Sequence, residues 1–112
     1  MPSREAGRVP VALVRHLVDQ SRTERELMEK GKVLKERINK IETLLKLLGG
    51  REDELLCTIC KGQVYQQSTV RAVRDELSAR LTAHVYLYST ARGRLMRLQQ
   101  LIHREESTGA PR

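Results

Sequence analysis

Residues 34–50 read LKERINKIETLLKLLGG, with apolar side chains at Leu34, Ile38, Ile41, Leu45 and Leu48 closed by Gly49 and Gly50. Steps of four and three residues place these side chains on one stripe of an α-helix, the pattern of a heptad seam. The glycine pair ends it, because glycine alone enters the left-handed conformation of a helix C-cap without steric cost. Followed upstream, the same spacing passes through Gly31, Leu27, Glu24, Gln20, Leu17 and Leu13 to Pro10, which suits a first helical turn. Eight of the eleven seam positions from Leu13 to Leu48 are Leu or Ile, so a single helix of some 38 residues is expected, tightest from Leu34 onward.

The remainder of the chain supports helix as well. The three prolines fall at positions 2, 10 and 111, and phenylalanine and tryptophan are absent. No strand is expected. Glu52, Asp53 and Glu54 follow the glycines at once and read as the acidic first turn of a second helix. A turn centred near residue 50 sets an antiparallel register in which position i faces roughly 100 minus i: Ile41 meets Ile59, Leu45 meets Leu55 or Leu56, Leu27 meets Val73, and Leu13 meets Leu87. The second seam then reads Leu56, Ile59, Gln63, Gln66, Val70, Val73, Leu77, Arg80, His84 and Leu87.

Ser68-Thr69 and Ser89-Thr90 can each cap a helix N-terminus. The later pair makes the first two helices equal in length and leaves a short third helix with Leu95, Leu98 and Ile102 inward. Against it, Leu81, Tyr88, Leu95 and Ile102 are spaced by seven, as on one uninterrupted helix. The later break is preferred. The expected fold is all-α, an antiparallel three-helix bundle with two long helices and a shorter third. Residues 9–106 form the single domain, with helices at about 10–48, 52–88 and 91–106, and 1–8 and 107–112 are flexible ends.

Cys57 and Cys60 form a C-x-x-C, but zinc needs about four ligands, and His16, His84 and His103 are scattered. The cysteines read as small apolar residues near the seam, and neither metal nor cofactor is expected. No nucleophile with an orienting base and no phosphate-cradling glycine loop can be assembled, so an enzyme is not expected. Gln20 and Glu24, level with Arg80 and His84 in this register, are a polar layer or the more solvated end of the bundle. No apolar run has the length of a secretory signal or a membrane span, which points to the cytoplasm.

The net charge of +7 is concentrated between Leu55 and Arg104, where eight Lys and Arg stand against Asp75 and Glu76 alone. Arg71, Arg74, Arg92, Arg94, Arg97 and Arg104 are the candidate basic surface for an acidic partner. Too few aromatics are present to stack on bases, and no nucleic-acid-binding motif occurs, which counts against DNA or RNA.

Three stretches resemble one known family. They are Leu13-Val14-Arg15-His16-Leu17-Val18, Lys35-Glu36-Arg37-Ile38-Asn39-Lys40-Ile41, and the second-helix segments Cys60 to Ser68 and Leu81 to Leu87. Together they are similar to tubulin-binding cofactor A across roughly residues 10–90. The resemblance implies a cytoskeleton-associated chaperone of three helices that captures β-tubulin, an acidic partner, without nucleotide or metal. Composition and periodicity leave a second class open: a structural coiled-coil subunit that pairs its heptad face with partner helices in a larger complex.

Overall fold

The structure, a computed structural model, describes residues 9–109. Its elements are α1 (Val11–Leu48), β1 (Leu56–Lys61), β2 (Val64–Thr69) and α2 (Val70–Gly109). Helix α1 is the expected 38-residue helix. From Gln20 to Leu48 every position of its heptad seam is buried or half-buried, while Leu13 and Leu17 are exposed. Gly50 ends it at φ +83°, and the Arg51 N–H donates to the Leu48 carbonyl at 3.2 Å.

The three-helix bundle is not what forms: two long helices flank a small antiparallel two-stranded sheet. The expected second helix at 52–88 fails over its first half because Gly62, at φ +65°, turns the chain back and pairs Leu56–Lys61 with Val64–Thr69. Leu56–Lys61 carries Ile and Thr, and Val64–Thr69 carries Val, Tyr and Thr, residues that fit a pleated surface. Glu52, Asp53 and Glu54 therefore open no helix. They lie in the connection before β1, where the Leu55 N–H donates to the Glu52 carbonyl at 3.1 Å.

Helix α2 starts at the earlier of the two candidate caps. The Ala72 N–H donates to Thr69 Oγ1 at 3.2 Å, the Val70 N–H to the Leu55 carbonyl at 2.9 Å, and the Arg71 N–H to the Asp53 carbonyl at 3.0 Å. Three of the amides that a helix start leaves without intrahelical partners are thus satisfied. The expected break at Ser89-Thr90 does not occur. Thr90 Oγ1 donates instead to the Tyr86 carbonyl at 2.9 Å, one turn back, so the hydroxyl is spent inside a continuous helix. The residues assigned to a third helix at 91–106 continue α2, and the tail expected from 107 is helical as far as Gly109. The ends expected at 1–8 and 110–112 lie outside the described residues.

Burial along α2 recurs at Val70, Leu77, His84 and Ala91, with Leu81, Tyr88, Leu95 and Ile102 between and beyond them, so its seam is the uninterrupted seven-residue spacing. The register shifts accordingly. Strand partners have residue numbers that sum to 125, as in Leu56 with Thr69, because the chain reverses at Gly62-Gln63 rather than at residue 50.

The chain divides into two compact units, one of residues up to Gly31 and from Ala91 on, the other Lys32–Thr90. In the first, Leu27, Ala91 and Gln20 are buried. The Gln20 amide donates to Glu105 Oε2 at 3.2 Å, and His16 Nε2 lies 3.2 Å from the same oxygen. In the second, Leu34, Ile41, Val70 and Leu77 are buried, and Val70, at 1 % exposure, is the most enclosed of them. Arg80 here pairs with Glu76 at 2.9 Å, and His84 Nδ1 donates to the Arg80 carbonyl. Among the described residues no helix is long and apolar enough to cross a membrane.

Candidate functional site: an open-edged hairpin beside an apolar groove

A two-residue loop, Gly62-Gln63, joins β1 to β2, with the positive φ at its first position, the arrangement that matches strand twist in a tight hairpin. Main-chain bonding in an antiparallel pair alternates between residue pairs that exchange hydrogen bonds and pairs that do not. The Val70–Leu55 bond fixes the phase, so Cys57 with Ser68, Ile59 with Gln66, and Lys61 with Val64 are the bonded pairs. Leu56, Thr58 and Cys60 then direct their N–H and C=O groups out of the free edge of β1. Tyr65 and Gln67 do the same from β2, and the Thr69 N–H lies on that edge where β2 meets α2. No third strand meets either edge among the described residues.

The two faces differ. Cys57, Ile59 and Ser68 lie on one face and are half-buried, while the other carries Leu56 and Tyr65, the latter 75 % exposed. Beside β1 runs a groove of about 800 Å³, lined by Cys57–Gly62, by Leu44, Leu47 and Leu48 at the end of α1, and by Val73, Glu76, Leu77 and Arg80 of α2. Its floor is apolar and its rim charged. Lys61 Nζ stands 3.7 Å from Glu76, which also accepts from Arg80. Leu47 remains 63 % exposed at its mouth. Residues of β2 contribute nothing to the groove.

The two cysteines are on a strand rather than a helix. Three residues apart, they point to opposite faces of the sheet, so they share no ligand and form no dithiol pair. Cys60 Sγ donates to the Gly62 carbonyl at 3.1 Å, and Cys57 is half-buried toward the groove. No group of three potential metal ligands forms among the described residues.

The six candidate arginines are divided between the units. Arg71 and Arg74 clamp the root of the hairpin: Arg74 donates to Asp53 Oδ1 at 2.7 Å and to the Leu48 and Arg51 carbonyls, and Arg71 pairs with Glu54 at 3.0 Å and Asp53 at 3.6 Å. They hold the end of α1 to the start of α2. Arg92, Arg94, Arg97 and Arg104 lie on exposed positions of α2 in the other unit. At about 100° per residue, Arg97 and Arg104 share one stripe, and Arg92 and Arg94 flank it on opposite sides.

No protein-family model matches this chain, and no curated protein matches it.

The Arg74 guanidinium bonded to Asp53 holds that carboxyl below its ordinary value of 3.8, outweighing the opposite push of desolvation, and Arg71 adds to the lowering. A depressed folded-state pKa contributes stability that is present above the unfolded value and lost as pH falls through the folded one. The expected result is a fall in melting temperature that begins below pH 3.8 and is blunted in Asp53→Asn, measured by thermal melts against pH. A profile identical in the two proteins would remove the clamp from the account.

The outward backbone groups of the hairpin were not visible to side-chain reasoning. The one available signal was Gly62-Gln63 between two runs rich in β-branched residues, with no charge from Gly62 to Val70.

Proposed function

We propose that the chain is a structural, non-catalytic subunit that joins a larger assembly through its β-hairpin, its two helices serving as a coiled-coil arm. The supporting observation is the pair of open edges on a two-stranded sheet. An isolated hairpin is marginal in water, and a row of unpaired N–H and C=O groups is a template for another strand. The apolar side chains gathered around it, Leu44, Leu47, Leu56, Val64 and Tyr65, are all exposed. A second chain would cover them. The test is a doubly blocked hairpin, Thr58→Pro with Gln67→Pro. Both substitutions remove outward amides and leave the internal ladder intact. Sedimentation velocity is expected to show loss of the assembled species with helix content unchanged by circular dichroism. An assembly that persists would contradict the proposal.

Capture of β-tubulin is the second reading, supported by the sequence resemblance and by the exposed arginines of α2. The three-helix frame that the resemblance implied is not part of the fold. If acidic tubulin surface is the partner, reversal of Arg92, Arg94 and Arg97 to Glu is expected to weaken binding, and added salt to slow association. Binding indifferent to both would remove this reading.

A further inference from the structure

We infer that the groove beside β1 binds a free fatty acid, with the hydrocarbon chain along its apolar wall and the carboxylate at Lys61. The inference goes beyond the assembly reading and does not depend on it. Leu44 and Leu47, which line the groove, then go to the ligand, while Leu56, Val64 and Tyr65, which do not, stay with the second chain.

Three observations select the ligand. The first is size, since about 800 Å³ falls within the roughly 300–1,000 Å³ of small-molecule sites. The second is the lining. Its large apolar side chains are all aliphatic, Leu44, Leu47, Leu48, Ile59, Val73 and Leu77, so a flat ligand has no ring to stack on. Leu44 and Leu47 are 46 % and 63 % exposed, and a hydrocarbon chain laid against them removes apolar surface from water on both sides.

The third is charge. Lys61, Glu76 and Arg80 are the charged residues of the lining among the described residues, and they stand together. Arg80 donates to Glu76 Oε1 at 2.9 Å, whereas Lys61 Nζ is 3.7 Å from the same oxygen, beyond hydrogen-bond length. Two cations thus share one carboxylate, and a second carboxylate balances the set. A single anionic head on an aliphatic chain matches one cluster of charge beside an uncharged wall. A partner strand laid along β1 is the competing occupant.

The test titrates the full chain by calorimetry with octanoate, decanoate and dodecanoate, and follows alkylation of the two cysteines. Each added methylene is expected to tighten binding about fourfold, the equivalent of about 0.8 kcal/mol. Dodecanoate is expected to slow Cys57, half-buried toward the groove, more than Cys60 on the opposite face of the sheet. Lys61→Gln is expected to weaken dodecanoate about tenfold and to leave its methyl ester unaffected. Leu47→Glu, at an exposed position of α1, is expected to abolish binding with helix content unchanged. Affinity that does not rise with chain length, a methyl ester bound as tightly as the acid, or undiminished binding in Lys61→Gln overturns the inference. If Cys57 is slowed by assembly and not by dodecanoate, a partner strand fills the groove, and the inference falls while the assembly reading stands. Dodecanoate binding by a chain that is monomeric at every concentration upholds the inference and removes the assembly reading.

Discussion

Replacing Leu34 with alanine is expected to lower the free energy of unfolding by about 2–5 kcal/mol, the range for truncating a buried aliphatic side chain in a site that collapses only partly. Leu34 is 5 % exposed on the seam of α1, and few side chains among the described residues are fully buried. Small domains have about 5–15 kcal/mol of net stability, so one seam residue accounts for a large share of it. Leu17 occupies the same heptad stripe but is 47 % exposed, and Leu17→Ala is expected to cost less than half as much. Urea unfolding of the two variants gives the comparison directly. Equal losses would mean that the seam is not where the stabilising burial lies.

The second large effect concerns the hairpin itself. Ile59→Pro is expected to dissolve the β1–β2 sheet, whereas Thr58→Pro, one residue away, leaves it in place. Ile59 and Gln66 are a hydrogen-bonded pair at the centre of the ladder, so proline at 59 removes an internal donor and forces its ring into the strand interface. Proline at 58 removes only an outward donor. The preceding residue, Cys57, is already extended, as proline requires. The reporter is intrinsic: Cys57 is half-buried and Cys60 exposed. In Ile59→Pro, Cys57 should react with a thiol reagent at the rate of Cys60, and in Thr58→Pro it should remain the slower of the two. Identical behaviour of the two prolines would mean that the bonding phase assigned to the hairpin is wrong.

The contrast between α1 and the hairpin shows what side-chain patterns transmit. A seam of eleven positions at steps of three and four has one geometric solution, and Gly50 at φ +83° ends it where the glycine pair stands. Strands of six residues are too short for a period to declare itself, and the second of them, VYQQST, is mostly polar. Two local features imitated helix signals. Glu52 to Glu54 look like an acidic first turn, but Asp53 and Glu54 clamp Arg71 and Arg74, and Ser89-Thr90 looks like a cap but Thr90 bonds back into its own helix. The seven-residue spacing of Leu81, Tyr88, Leu95 and Ile102 was the stronger evidence, because it spans four positions rather than one dipeptide.

The candidate site was less legible for a related reason. The charge excess of α2 is plain from composition, but Arg71 and Arg74 are committed to internal ion pairs that exist only once Asp53 is brought beside the start of α2. The open edges of the hairpin are backbone groups, the same for every residue type but proline. They acquire meaning only after the register is known.

Residue-resolved amide hydrogen exchange in the dilute and assembled states tests the central claim, that this chain assembles through its hairpin edges. In the dilute chain, Cys57, Ile59, Gln66 and Ser68 should exchange slowly and Thr58, Cys60, Tyr65 and Gln67 fast, alternating along each strand. On assembly, the outward amides of one edge, Thr58 and Cys60 or Tyr65 and Gln67, should join the slow class. Outward amides that exchange as fast in the assembled state as in the dilute one would contradict the account.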